Sequence, residues 1–282
     1  MYHWSKLSSV KWADAWEERF YGNPNSVISE IKGGKSVRVE VYSETEAEAI
    51  DIQKQWGGSI REVKQQNWVA LSAEVKPPLK IRDSILVTGT REKSEADQMR
   101  KDHPNRHVIQ VPAEMAFGTG DHATTSTCLR FLVDIAKEKK LNAGSQSWDM
   151  LDLGCGTAVL AIAARMLGAD SCEAHDFDAQ AVRVSEQNLV LNEVTNIVVK
   201  EQDVLIWTPE RQWPVVVANM FSTILQKAFP TIAATIETGG DLVVSGILAD
   251  QWEDTKKCGE AAGLTFGKVV KKGKWVTARG KK

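Results

Sequence analysis

The stretch that most constrains this 282-residue chain runs from Trp148 to Ala158, WDMLDLGCGTA. Met150 to Leu153 is an apolar run, interrupted by Asp152, that reads as a buried strand. Gly154, Cys155, Gly156 and Thr157 then form a tight turn of small residues. From Ala158 the pattern changes to AVLAIAARMLGA, apolar and rich in good helix formers, and Gly168 ends it. Strand, glycine loop and helix in that order open a nucleotide-binding α/β domain. Glycine lets the backbone approach a ligand and adopt positive φ. The dinucleotide pattern GxGxxG is not met, because its third glycine position is Val159. A tight βα turn that binds nothing is the other reading of these residues.

Composition narrows the classes. An apolar fraction of 43% supports a sizeable core, and the length allows two domains. A net charge of −2 argues against a dedicated nucleic-acid binder, which needs a strong positive field. Cys128, Cys155, Cys172 and Cys258 show no CxxC or metal spacing, so a reduced compartment and no metal are expected. No apolar run is long enough for a membrane, and the first twenty residues lack a signal-peptide core. A cytoplasmic location is therefore expected.

Residues 1 to about 90 read as a smaller domain. Val10 to Phe20 suits a short amphipathic helix, and Ser36 to Tyr42 (SVRVEVY) alternates like a half-buried strand. Glu44 to Trp56 is helical in composition and Gly57-Gly58 stops it; Ser59 to Lys64 is the next strand. This suggests an α+β module of ferredoxin-like type, with substrate docking and plain packing or dimerisation as its two candidate roles. Pro77-Pro78 interrupts regular structure. Leu79 to Val87 reads as a strand pair turning near Asp83, and Glu92 to His103 as a solvated helix or loop. The span up to about residue 110 is taken as the connection between domains.

Residues 111–282 form the second domain. Val111 to Thr125, VPAEMAFGTGDHATT, holds a glycine-rich loop and then starts a helix from Ser126 to Lys137, with Leu129, Leu132, Val133 and Ala136 inward. Thr124 or Thr125 suits an N-cap; hydroxyls and free N–H groups at a helix start also suit a carboxylate. His122 is equally readable as structural. Ser171 to His175 is a strand ending at Asp176, twenty-two residues beyond Gly154. An acid there can accept from both hydroxyls of a ribose. Asp178 suits the N-cap of a helix from Ala179 to Leu191. Asp203, after a strand from Asn196 to Lys200, is either an acceptor for a purine amine or a solvated loop acid. Pro214 to Ala218 is a fully apolar strand with Asn219 at its carboxyl end, the edge where open α/β sheets bind ligands. A helix from Ser222 to Ile236, a strand from Gly240 to Ser245, a helix through Ala262 and a hairpin around Lys271, Lys272 and Gly273 complete the chain. A hairpin added to five βα units is a methyltransferase arrangement, and a GxG loop with Asp152 just upstream suits S-adenosylmethionine.

Three motifs, AFGTGDHATT, LDLGCGTAVLAIAA with HDFD, and VVVANM followed by SGIL, together resemble the bacterial family that methylates large-subunit ribosomal protein eleven. The resemblance covers roughly Val111 to the C-terminus. It implies a class I methyltransferase: a Rossmann-like α/β fold with a seven-stranded sheet and a smaller N-terminal α+β domain. It implies S-adenosylmethionine as cofactor and a ribosomal protein as partner, methylated on lysine side chains and α-amino groups. Thr125 would close the loop on the cofactor, Gly154 and Gly156 would lie under its methionine part, and Asp176 would hold the ribose. Asn219 would lie at the substrate side of the methyl group and serve as the catalytic residue. The chain departs from the family at Ala123, where Pro is usual, at Asp121, where Thr is frequent, and at Met220 and Phe221 beside the acceptor pocket.

The implied reaction is in-line displacement at a sulfonium methyl by a neutral amine. A free lysine, with pKa about 10.4, must first lose a proton. Alignment of amine, methyl and sulfur contributes on the order of 7–11 kcal/mol. No compelling general base stands out; His122 and water are the candidates. The rival readings are a methyltransferase of this fold acting on a small molecule or nucleic acid, and a non-catalytic S-adenosylmethionine-binding protein.

Overall fold

The computed structural model describes residues 2–20, 23, 25–31, 34–43, 45–62, 77–112, 118, 120, 122–142 and 147–282, leaving aside the side chains of Glu30 and Asn142. The chain divides into two units, Met1–Glu74 and Val75–Lys282.

In the first unit, strand β1 (Tyr2–Ser9) leads through a 3₁₀ turn (Val10–Trp12) to helix α1 (Ala13–Arg19). Strands β2 (Ser26–Glu30) and β3 (Ser36–Ser43), helix α2 (Glu46–Trp56) and strand β4 (Ser59–Glu62) follow. The sheet order is β2-β3-β1-β4, with every pair antiparallel. This βαββαβ path is ferredoxin-like. The alternation of β3 buries Val37, Val39 and Val41 against Trp4 and Trp16. Thr45 caps α2, accepting from the Glu48 N–H. Gly57 ends it at φ 69°, and its carbonyl accepts the Trp4 indole N–H at 2.7 Å. β1 and β2 escaped the sequence reading, because β1 (YHWSKLSS) carries few apolar residues and its anchor is a single Trp4.

The second unit is built on a seven-stranded sheet in the order β10-β9-β8-β11-β12-β14-β13. Its strands are β8 (Asp149–Leu153), β9 (Ser171–Asp176), β10 (Ile197–Glu201), β11 (Trp213–Asn219), β12 (Ile236–Leu248), β13 (Thr265–Lys272) and β14 (Trp275–Lys281). β8 to β12 are parallel, and β14 runs antiparallel between β12 and β13. Central strands covered on both faces must be apolar throughout, as WPVVVA in β11 is. One face packs under helices α4 (Ala123–Asn142) and α5 (Val159–Leu167), the other under α7 (Ser222–Thr235) and α8 (Trp252–Ala261). Helix α6 (Ala179–Leu191) packs beside β9 and β10, with Asp178 as its N-cap through the Gln180 N–H. Leu129, Leu132, Val133 and Ala136 of α4 are buried, as its sequence predicts.

The span expected to connect the domains is instead part of this second unit. Strands β5 (Leu79–Ile81), β6 (Ile85–Thr88) and β7 (His107–Gln110), with helix α3 (Lys93–Asp102), form a separate three-stranded sheet. Ile81, Ile85, Val87, Ile109 and Val111 join the core of α4 and α5. The Asn192 side chain accepts from the Gln110 N–H and donates to the Gln110 carbonyl, both at 2.8 Å, standing in for a strand neighbour. The expected division at residue 90 thus moves to 74/75, and the second domain begins well before residue 111. The strand pair read at Leu79 to Val87 is β5 and β6, and the segment Glu92 to His103 holds α3; β7, four residues long, is too short to show a period in the sequence.

Arg279 of β14 fixes the terminal hairpin to α4. Its guanidinium donates to both Glu138 oxygens at 2.6 and 2.7 Å and to Asp241 Oδ1 of β12 at 2.8 Å. The Arg279 hydrogen bonds hold the Glu138 carboxyl below its ordinary range. A depressed carboxyl adds stability above its unfolded pKa of about 4.3, and that stability disappears as pH falls through the folded value. Arg279→Met is expected to cost roughly 1–3 kcal/mol at pH 7. Thermal melts of both proteins should show the difference shrinking below about pH 4 as Glu138 protonates.

Candidate active site

The register of the parallel strands places three polar side chains on one face of the sheet. Asp152 of β8 pairs with Ala174 of β9 and with Val217 of β11. Asp176 and Asn219 therefore each lie two residues beyond Asp152 on the flanking strands, on the same face and at the carboxyl edge. The Gly154 and Cys155 N–H groups both donate to the His175 carbonyl, at 2.8 and 3.0 Å, which turns the chain off β8 toward β9. Gly154 (φ 69°) and Gly156 (φ 56°) supply the left-handed backbone this turn requires. A Cβ on Gly154 would meet the Met220 side chain at 2.8 Å. Ala158 also holds positive φ, at 58°, buried at the start of α5. A non-glycine residue in that conformation stores strain that its surroundings must hold, and such strain clusters at ligand sites.

Asp176 is 8% exposed and accepts the Gly156 N–H at Oδ2 (2.9 Å) and the Asp178 N–H at Oδ1 (3.1 Å). Burial pushes its carboxyl up, and these two N–H groups oppose the push. A carboxylate offers about four lone-pair sites, so acceptor capacity remains for two hydroxyls. Asn219 and Thr125 meet, with the amide Nδ2 3.5 Å from the Thr125 Oγ1. Asn219 Oδ1 is buried and has no hydrogen-bond partner, an acceptor left open at the sheet edge. The two residues are ninety-four positions apart, and the fold brings them together.

Thr157 is the residue that sequence reasoning passed over. Its hydroxyl donates to the Gly118 carbonyl at 2.8 Å, and the Asn188 side chain donates to the Thr157 carbonyl at 3.0 Å. It thereby latches the two glycine loops to each other. Gly118 has φ 115°, and a Cβ there would sit 3.0 Å from the Thr157 hydroxyl. Gly120 has φ 89° and abuts Val87. Phe117, Thr119 and Asp121 of the same loop lie outside the described residues. Thr124 and Thr125 fall inside the first turn of α4, not before it, so neither precedes the helix as a cap. His122 Nδ1 lies 2.8 Å from the Thr124 hydroxyl, and its ring packs edge-on against Trp275. Asp203 accepts the Leu205 N–H at 2.8 Å, the behaviour of a loop acid making its own turn.

Gly246 of the SGIL motif is required by close approach. It lies at a register shift in β12 with φ 83°, and a Cβ there would fall 2.4 Å from the Met220 carbonyl oxygen. The Met220 N–H donates to the Ser245 carbonyl at 3.0 Å, fixing the segment after Asn219. Among the described residues no group of His, Cys, Asp and Glu could hold a metal ion, and no helix is long and apolar enough to cross a membrane. A cavity of about 220 Å³ lined by Ser84, His107, Lys137, Lys140 and Leu167 touches none of the residues above.

The strand order, the paired glycine loops and the acid at the end of β9 define a class I S-adenosylmethionine-dependent methyltransferase. The chain belongs to the ribosomal protein L11 methyltransferase family, whose sequence pattern it matches over residues 14–282. The match thus reaches into the first unit, beyond the region where the motifs alone carry the resemblance. A ribosomal protein L11 methyltransferase of Chromobacterium violaceum is 32% identical over 256 residues, which cover 86% of this chain and 78% of that protein. A ribosomal protein L11 methyltransferase of Bacillus cereus is 33% identical over 219 residues, covering 77% of this chain and 66% of that protein. The crystal structure of a ribosomal protein L11 methylase from Lactobacillus delbrueckii subsp. bulgaricus shares the fold. Its TM-score is 0.61 at 21% identity, over 73% of this chain and 98% of that one.

Gly246→Ala tests the packing behind the site. The clash and the positive φ together should cost roughly 2–3 kcal/mol, lowering Tm by about 4–12 °C. A melting curve unchanged from the parent protein would show that the Met220 backbone can move away.

Proposed function

We propose that this chain transfers the methyl group of S-adenosylmethionine to lysine side-chain and α-amino groups of ribosomal protein L11 or a similar protein. The observation that carries the reading is the open, buried Asn219 Oδ1 next to Thr125, beside the GxG loop and Asp176. The residues present fit the cofactor: positive-φ glycines for close approach, a carboxylate with spare acceptor sites, and an acceptor without a partner. When bound, S-adenosylmethionine supplies an electrophilic methyl group on a positively charged sulfur.

Asp176 anchors the donor by its ribose hydroxyls, Gly154 and Gly156 form the floor beneath its amino-acid part, and Thr125 closes the glycine loop over it. Thr157 keeps that loop in register. Asn219 orients the incoming amine by accepting one of its N–H groups, which aims the nitrogen lone pair away from the amide. Its Nδ2 contact with Thr125 fixes which end of the amide faces the substrate. Burial at the sheet edge favours the neutral form of the entering lysine. His122 is held by Thr124 and Trp275 and positions the loop. The first unit, which carries no cofactor motif, docks the protein substrate. A cytoplasmic location follows from that substrate.

Transfer of label from S-adenosylmethionine to purified ribosomal protein L11 tests the reading directly, and absence of transfer with a folded enzyme sinks it. Two variants should separate binding from chemistry. Asp176→Ala is expected to weaken donor binding at least about tenfold, at roughly 1.5–3 kcal/mol per hydrogen bond to a charged group. Asn219→Ala should lower kcat roughly tenfold or more while changing donor affinity much less. Calorimetry and single-turnover rates on the same samples check both. Removal of residues 1–74 should leave donor binding intact and abolish transfer to the protein. Full activity of the folded truncation would assign docking elsewhere.

A further inference from the structure

The helix that carries Thr125 begins on a weak sequence. Residues 122–127, HATTST, put Thr124, Thr125, Ser126 and Thr127 at the start of α4, and Thr and Ser are poor helix formers. Side-chain bonds hold this turn together. The Ser126 and Thr127 hydroxyls donate to the Ala123 carbonyl at 3.1 and 2.7 Å. His122, the residue before the helix, makes the remaining contacts. Its Nδ1 accepts the Thr124 backbone N–H at 3.4 Å and lies 2.8 Å from the Thr124 hydroxyl. An acceptor that precedes a helix and takes the N–H of its second residue is an N-cap.

A backbone amide only donates, so this bond decides the state of the ring. Nδ1 must carry a lone pair. The single proton of a neutral imidazole is then on Nε2, and an imidazolium has no lone pair to offer. The helix dipole also opposes a positive ring at this end. The terminal hairpin clamps the same turn from outside. Lys272 and Trp275 are cross-strand partners at its tip. The buried Trp275 ring stands edge-on to the His122 ring, with centroids 5.2 Å apart. The Lys272 ammonium donates to the Ser126 hydroxyl at 3.0 Å. Thr125 lies between these two held residues in the chain, and its hydroxyl meets Asn219.

We propose that His122 is a positioning residue and not the base of the reaction: neutral, protonated on Nε2 and braced by the hairpin tip, it caps α4 and so sets Thr125 against Asn219. The inference rests on the donor reading above. The Nδ1 lone pair is committed to the Thr124 N–H, and Nε2 has none. The ring therefore takes no proton from the entering ammonium. That proton passes to water, and the amine nitrogen keeps the electron pair that then attacks the methyl carbon.

A cap and a base fail differently. Losing the cap unpins the turn that closes on the donor, so the donor dissociation constant of His122→Ala should rise roughly 3- to 30-fold, the weight of one helix cap. In His122→Asn the side-chain oxygen can cap but cannot serve as a base, so donor affinity should return to within about threefold of the parent. A base would give the opposite split, with donor affinity intact and kcat lost alike in both variants. Trp275→Leu and Lys272→Met should each weaken donor binding in the same direction, with Trp275→Phe and Lys272→Arg restoring it. Where Trp275→Leu does not fold, the exposed Lys272 carries that arm of the test. Nitrogen–proton correlation spectra of the intact protein with labelled histidine read the tautomer without donor or turnover, and should place the proton on Nε2 of His122. A proton on Nδ1, equal loss of kcat in His122→Ala and His122→Asn with donor affinity intact, or donor binding indifferent to Lys272→Met would each overturn the proposal. Absence of donor-binding heat from the parent protein would instead overturn the donor reading beneath it.

Discussion

One backbone carbonyl organises the site. His175 O receives the N–H groups of both Gly154 and Cys155, so β8 cannot continue and the chain must turn at the level where β9 ends. That turn requires positive φ at Gly154 and Gly156 and presents the Gly156 N–H to Asp176. It also carries Thr157 to where its hydroxyl reaches Gly118. The glycine loop, the acid at the end of β9 and the second loop are therefore set by one another. A shift of β9 against β8 by a single residue would turn Asp176 to the opposite face and separate all three.

The electrostatics of the site follow from where those strands end. Asp176 is buried but bonded to two N–H groups; Asp152, one pleat deeper, is buried with no bond at all. Two carboxyls of the same chemistry thus meet different environments a few ångströms apart. Asp152 stands in a sheet face otherwise filled with Val215, Val217 and Met150.

Most of the second unit was legible because its signals are local and strong. The switch from strand to helix across Gly154–Gly156, the Asp178 cap and the apolar β11 each declare themselves within ten residues. Thr125 and Asn219 were nameable from their motifs, and only the fold shows that they touch. What escaped depends on partners distant in sequence. β7 is a strand only because Ile109 finds the α4–α5 core and Asn192 completes Gln110. Thr157 has a role only once Gly118 stands opposite it. Gly246 is one glycine among twenty until the Met220 backbone is seen pressed against it.

The placement of β14 between β12 and β13 sets an order of assembly. β13 is synthesised first, yet it reaches the sheet only through β14, whose last paired residue is Lys281. A ribosome still holding that segment in its exit tunnel holds back two of the seven strands. It also leaves α4 without Arg279, the side chain that binds Glu138 and Asp241. The glycine loops and Asp176 precede this hairpin in the chain, so their mutual contacts do not wait for it, whereas the sheet is complete only when both hairpin strands are in place.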